Sequence, residues 1–307
     1  MTGFIAKRLL QTVFVVFVVT LLVSWAVRMT GDPALMLIQG AGSVTEQDLI
    51  NIRQGLGLNQ PFAQQYLSFI YALMHGDFGR SFLGGTSVTL LIGDALPATL
   101  ALTFCSLFLS LLLSIPLGIQ AAVNKGGWSD QLIRIVSLVG LSFPNFWLAI
   151  MLVLIFSIAI PIFPPSGMDG LSSLVLPAIT MGIILTATNV RLVRTAMLET
   201  LSAQYITVAR SKGLREKVVL YKHALRNCAI PLITFIGLQF GSLIGGIVVV
   251  EKVFNWPGLG TLAFEAISGR DYPVLQSTVT VLALLIVTVN LLTDIVYGLV
   301  DPRVRIK

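Results

Sequence analysis

Apolar positions in this chain come in long unbroken blocks. Six stretches carry no Lys, Arg, Asp or Glu: Leu9–Val27, Ala95–Asn124, Ile135–Met168, Gly170–Val190, Asn227–Val250 and Tyr272–Thr293. At about 1.5 Å of rise per helical residue, each is long enough to cross the hydrocarbon of a bilayer as a helix. A transmembrane barrel would show strands of alternating character about ten residues long, and these blocks do not alternate. The pattern therefore predicts an all-α, polytopic membrane protein with six transmembrane helices. Lys7 and Arg8 precede the first block, whose apolar core is longer than a signal-peptide core and lacks a small-residue cleavage site, so it is read as a retained helix.

Between the first two blocks, residues 29–94 form the largest non-membrane piece, an external cap loop punctuated by Gly31-Asp-Pro33, Gly55-Leu-Gly57 and Gly76-Asp-Phe-Gly79. Within it Thr45–Arg53 and Phe62–Leu73 have helical spacing, the first with acids in its opening turn, which predicts two short helices. The division that follows is residues 1–28 as N-terminus and first span, 29–94 as cap, and 95–307 as core.

Composition agrees with a bilayer: 55% of residues are hydrophobic, 11% are charged, and the mean hydropathy is +0.89. The net charge of +6 is distributed by side. Fifteen of the twenty Lys and Arg residues flank blocks 1, 2–3, 4–5 and 6 on one side, and only Arg28, Arg53, Arg80, Lys252 and Arg270 lie on the other. The positive-inside rule then places both termini in the cytoplasm. Basic residues spent this way, without interleaved aromatics, do not indicate a nucleic-acid surface. Cys105 and Cys228 both fall in apolar blocks, and His75 and His223 fall on opposite sides, so no metal or hydrolytic constellation forms.

The densest cluster of charge lies between blocks 4 and 5, in residues 202–227. It divides at Gly213 into two helical halves. Leu214, Val218, Tyr221 and Leu225 form an apolar stripe on the second half, and Leu201, Tyr205, Val208 and Ala209 do so on the first, which ends in Arg210 and Lys212. Cations in a last turn favour the helix dipole, and a glycine just beyond it favours a left-handed C′ position, so Gly213 is expected at positive φ. On the residues alone, such a segment is either a docking lever for a protein or a basic helix pair on anionic lipid.

The same segment carries a resemblance. Tyr205-x3-Ala209-Arg-x-Lys-Gly213-Leu, followed by His223-Ala-Leu-Arg-Asn227 and Ile230-Pro231, resembles the EAA loop of ABC importer permeases. The chain is similar in particular to the dipeptide, oligopeptide and nickel permease group. The motifs that carry this are Gly55-Leu-Gly-Leu-Asn-Gln-Pro61, Gly76-Asp-Phe-Gly79, Leu96-Pro-Ala-Thr99 and Val249-Val-Glu-Lys-Val-Phe-Asn-Trp-Pro-Gly-Leu-Gly260. The last, with Arg270-Asp-Tyr-Pro273, looks like glutathione or peptide permeases. The chain departs from the broader EAA pattern at Thr207, Val208 and Arg226, which stand where Glu, Ala and Pro are expected.

The resemblance implies a type I importer permease fold in a bacterial or archaeal cytoplasmic membrane. It also implies a second permease subunit forming a heterodimer, two cytoplasmic ATPase subunits, and an external substrate-binding protein. No cofactor is expected in this chain itself. ATP would be bound by the partner subunits, because the sequence has no G-x-x-x-x-G-K-[ST] loop and no Gly-Lys dipeptide. Tyr205, Ala209, Arg210, Lys212, Gly213, Leu214, Val218 and Tyr221 are the expected ATPase-coupling residues. Asn145, Asn189, Gln239 and Asn290 are candidate pathway groups. Phe254, Trp256 and Asp271 are candidates for an external gate, with anchoring of Trp256 in the membrane's aromatic belt as the alternative.

An ion-coupled secondary carrier is the rival class, but it wants ionisable groups in mid-membrane, and Asp294 is the sole acid expected inside a spanning helix. Small residues at every fourth position, Gly237, Gly241 and Gly245 in block 5 and Ser110, Ser114, Gly118 and Ala122 in block 2, predict close helix approach.

Overall fold

The computed structural model describes residues 2–29, 31–38 and 45–300. Their regular structure is helical: α1 (Thr2–Met29), α2 (Pro33–Ile38), α3 (Glu46–Gly55), α4 (Phe62–Met74), α5 (Val88–Val123), α6 (Trp128–Ser142), α7 (Asn145–Val153), α8 (Leu171–Leu201), α9 (Gln204–Ser211), α10 (Glu216–Val218), α11 (Leu225–Val253), α12 (Leu259–Ser268) and α13 (Tyr272–Val300). Two π-helical stretches, Leu154–Ala159 and Val219–Ala224, continue α7 and join α10 to α11. By length and composition, five of these helices can cross a membrane, and a sixth span is available if α6 and the α7 rod form one.

The third apolar block is where the expected straight span fails. Its two arms meet at 97°. Phe143 is extended, with φ −85° and ψ 129°, because the Pro144 ring clashes with a preceding residue in the helical region. Helices also run past the charge-free limits, since helix propensity continues where hydrophobicity stops. As a result α11 includes Glu251, which is fully buried, and α6 includes Asp130, so Asp294 is not the only helical acid.

The described residues divide into two compact units, one within Met1–Thr99 and Pro257–Thr288, the other within Leu100–Trp256 and Val289–Lys307. In the first, α3 opens on a capping box in which Thr45 and Asp48 satisfy each other's backbone N–H groups. The helix α2, missed in the sequence because six residues show no periodicity, is held by Asp32, whose carboxylate accepts from Ala34 N at 2.9 Å and from Arg53 Nε at 2.6 Å. The Tyr66 hydroxyl lies 3.0 Å from Thr20 Oγ1, binding α4 to α1.

In the second unit α5, α8 and α11 share a core. Gly118 lets the two backbones of α5 and α8 approach, since a Cβ there would lie 2.6 Å from Val193 Cβ. Ser110 and Ser114 are buried along the same ridge, so that stripe serves packing within this chain. Gly237 plays the same part against Thr293 of α13, where an added Cβ would lie within 2.3 Å of Cγ2, whereas Gly245 faces open space. The turn between α5 and α6 is tied to α8 by a two-pronged ion pair from Arg194 to the buried Asp130, at 2.6 and 2.7 Å. Gly126 N also donates to Asp130 at 2.9 Å.

Candidate functional site: the segment between α8 and α11

Helix α8 ends at Leu201, and α9 starts at Gln204 after two intervening residues. At its far end Lys212 is the C-cap and Gly213 has φ +74°, the left-handed conformation expected from the sequence. Nothing lies within 4 Å of where a Cβ on Gly213 would be, so the glycine is required by backbone geometry and not by crowding. The chain then turns into α10. Across the turn Arg210 donates to Glu216 at 2.6 and 3.2 Å, which fixes the angle between the two halves. The guanidinium holds the Glu216 carboxyl below its ordinary range, and the carboxylate raises Arg210 in return. Asn227 Nδ2 donates to the Tyr205 hydroxyl at 2.6 Å, tying the start of α11 back to α9.

The two faces of this hairpin differ from the stripes read in the sequence. The inward face is Ile206, Ala209, Val219, Leu220 and Ala224, which join Ile119, Val193, Met197, Cys228 and Leu232 in one buried cluster. Ile206 and Val219, each 0% exposed, were missed. On α9 apolar residues occupy two adjacent faces, so spacing alone does not single out Ile206, and at Val219 the π-helical stretch departs from regular 3.6-residue spacing. Of the expected docking residues, Tyr205, Leu214 and Tyr221 are exposed (42%, 39% and 51%), Val208 joins them at 48%, Arg210, Lys212 and Gly213 are also exposed, Val218 is half-buried, and Ala209 is inward. The segment is thus an extension of the α5–α8–α11 core with an outer rim of two tyrosines, a leucine and a valine among cations.

Two family models divide the chain: residues 114–306 match the binding-protein-dependent transport system inner membrane component, and residues 1–103 match the N-terminal region of such membrane components. The chain belongs to this permease family. It is 38% identical, over the full length of both chains, to the glutathione transport system permease protein GsiC of Escherichia coli strain K12, and equally to those of Shigella dysenteriae and Pectobacterium atrosepticum. The fold also matches one chain of a solved structure of the MetNI methionine ABC transporter in an inward-facing conformation, with a TM-score of 0.60 and 19% identity, covering 69% of this chain and 97% of that one.

As a permease of this family, the protein is a membrane component of a binding-protein-dependent ABC importer, working with separate ATPase and binding-protein partners. An ion-coupled carrier is not favoured. Its four candidate pathway amides are dispersed on α7, α8, α11 and α13, and among the described residues no hydrogen bond joins any two. Asn189 is fully buried and donates to Ser110 Oγ at 2.8 Å. Gln239 is buried, Asn145 and Asn290 are half-buried, and the side-chain oxygens of Asn189 and Gln239 lack partners.

The candidate gate residues of the permease are turned inward. Phe254 and Trp256 are each 1% exposed, so Trp256 is not a belt anchor in lipid. The Phe254 carbonyl accepts from Gly167 N at 2.9 Å, and Trp256 N donates to the Glu251 carbonyl at 2.7 Å. Asp271, also buried, accepts from Ser81 Oγ at 2.5 Å and Phe82 N at 3.1 Å, pinning that segment to the start of α13.

Proposed function

We propose that the protein imports short peptides, glutathione among them, as one half of a permease heterodimer, and that residues 205–221 transmit the ATPase stroke. The observation that carries the coupling reading is the two-faced hairpin: its inner side is continuous with the core helices, while its apolar rim is exposed on a segment rich in charge. A rigid element with one face locked to moving helices and the other free is what a lever requires. ATP is bound by the partner subunits, and both termini face the cytoplasm, in keeping with the Lys and Arg asymmetry. The peptide substrate rests on the full-length similarity to the glutathione permeases.

The test is reconstitution of the permease with its second subunit, ATPases and binding protein, assayed for peptide-stimulated ATP hydrolysis and uptake. Tyr205→Ala with Tyr221→Ala is expected to leave abundance unchanged and abolish stimulation. Full stimulation in that double variant, or labelling of a cysteine at Glu216 from outside the cell, would overturn the lever.

A further inference from the structure

Where α1 ends and α13 begins, the first unit has an open cleft of about 380 Å³ lined by Arg28, Asp32, Arg53, Asn59, Gln65 and Tyr272. A second chamber of about 240 Å³ shares Arg28, Leu58, Gln65 and Tyr272 with it, and is walled by apolar groups such as Phe69, Phe78 and Phe82. The cleft is therefore cationic and polar on one side and apolar on the other. Asp32 is already bound to Arg53. Arg28 is different: it donates to the Ser24 carbonyl and to Gln65 Oε1, and lies 4.8 Å over the Phe62 ring, but among the described residues no carboxylate pairs with it. Its Nε is buried without a hydrogen-bond partner. A half-buried cation in that condition is short of a counter-anion.

Depth says which anion. Trp25, 53% exposed one turn before Arg28, marks an interfacial level on a helix whose Leu22 and Met29 are also exposed. Tyr66 of α4 reaches Thr20, about 12 Å along α1 from Arg28, whereas half the hydrocarbon is about 15 Å. Helix α4 holds no charged residue, and Leu67, Tyr71 and Met74 are 66%, 68% and 81% exposed along it. Exposed apolar surface of this kind, beside the end of a spanning helix, is what acyl chains cover.

We propose that this cleft binds the phosphodiester headgroup of an anionic glycerophospholipid, held by the Arg28 guanidinium, with the acyl chains lying along α4. The site rests on the proposed orientation only for which leaflet supplies the lipid. Nanodisc lipids occupy both leaflets, so the experiment tests the site separately from the orientation.

The whole transporter complex is placed in nanodiscs of phosphatidylcholine containing phosphatidylglycerol, and the retained lipid is read by native mass spectrometry. Wild type is expected to retain phosphatidylglycerol in preference. Arg28→Gln is expected to lose about tenfold of that preference, the worth of one charge-assisted hydrogen-bonded contact, while Arg28→Lys keeps part of it. A photoreactive phosphatidylglycerol on the unmutated complex gives a second reading, with adducts expected within residues 56–74. No preference in wild type, equal retention in Arg28→Gln, adducts elsewhere only, or displacement of the lipid by inorganic phosphate or by a free peptide would each overturn the proposal.

Discussion

Replacing Gly213 by valine perturbs the lever at one backbone position. Its φ of +74° costs a residue with a Cβ about 1–2 kcal/mol, and a branched side chain falls at the upper end. No neighbour lies within 4 Å of the added carbon, so collision adds nothing and the whole cost is conformational. The membrane helices and the buried cluster around Val193 and Ile206 are untouched, and abundance is expected to hold. What changes is the angle between α9 and α10: a strain of that size is a factor of about 5–30 against the native turn. Peptide uptake in proteoliposomes and binding-protein-stimulated ATP hydrolysis are expected to fall together, by at most that factor. Gly213→Asn is the control, since asparagine enters the left-handed region more readily than other side chains, and it is expected to stay near wild type. Wild-type uptake by the valine variant, or an asparagine variant as impaired as valine, would refute the reasoning.

Two further outcomes are expected. Gly118→Val overpacks the α5–α8 contact against Val193 at a cost of about 1–3 kcal/mol, lowering the thermal midpoint of the purified complex, whereas Gly245→Ala, with nothing within 4 Å, leaves it unchanged. Because Arg210 depresses the Glu216 carboxyl, the ion pair is complete above the ordinary carboxylate range and is lost only as pH falls through the lowered value. The coupling defect of Glu216→Gln is therefore expected to persist from pH 7 down to about pH 4.5, where an unshifted carboxyl would be half protonated; a defect that is halved at the lower pH would show the carboxyl is not held down.

The spans and the lever were legible because each is a contiguous property: an unbroken apolar block, or a glycine after a basic last turn. The bend at Pro144 was present in the sequence as Phe143-Pro144, but hydropathy outweighed it. The inward face of the lever was hidden because Ile206 and Val219 are thirteen positions apart on two helices separated by the left-handed turn at Gly213, so no single period links them. Trp256 and Asp271 looked like surface aromatic and surface acid, yet both are buried by contacts that residues nearby in sequence do not announce, Asp271 by partners 188 to 190 positions away. The Arg28 cleft was out of reach for the same reason, since it joins the end of the first span to the start of the last.

The π-helical stretch Val219–Ala224 has a consequence for the length of the lever. Each residue of an α-helix turns the chain by about 100°. The extra residue absorbed there sets the azimuth at which the tyrosine rim leaves the end of α11. The wide turn can take up the loss of one of its own residues by relaxing to ordinary pitch, but deleting one residue from 225–228, where α11 is regular, swings everything before it by about that angle, carrying Tyr205 and Tyr221 toward the core and Ile206 toward water. The fold of the segment thus tolerates exchange of side chains along its rim, even where loss of the two tyrosines ends coupling, but not a change of length in its regular part, and transplanting it between permeases requires moving residues 204–228 as one piece.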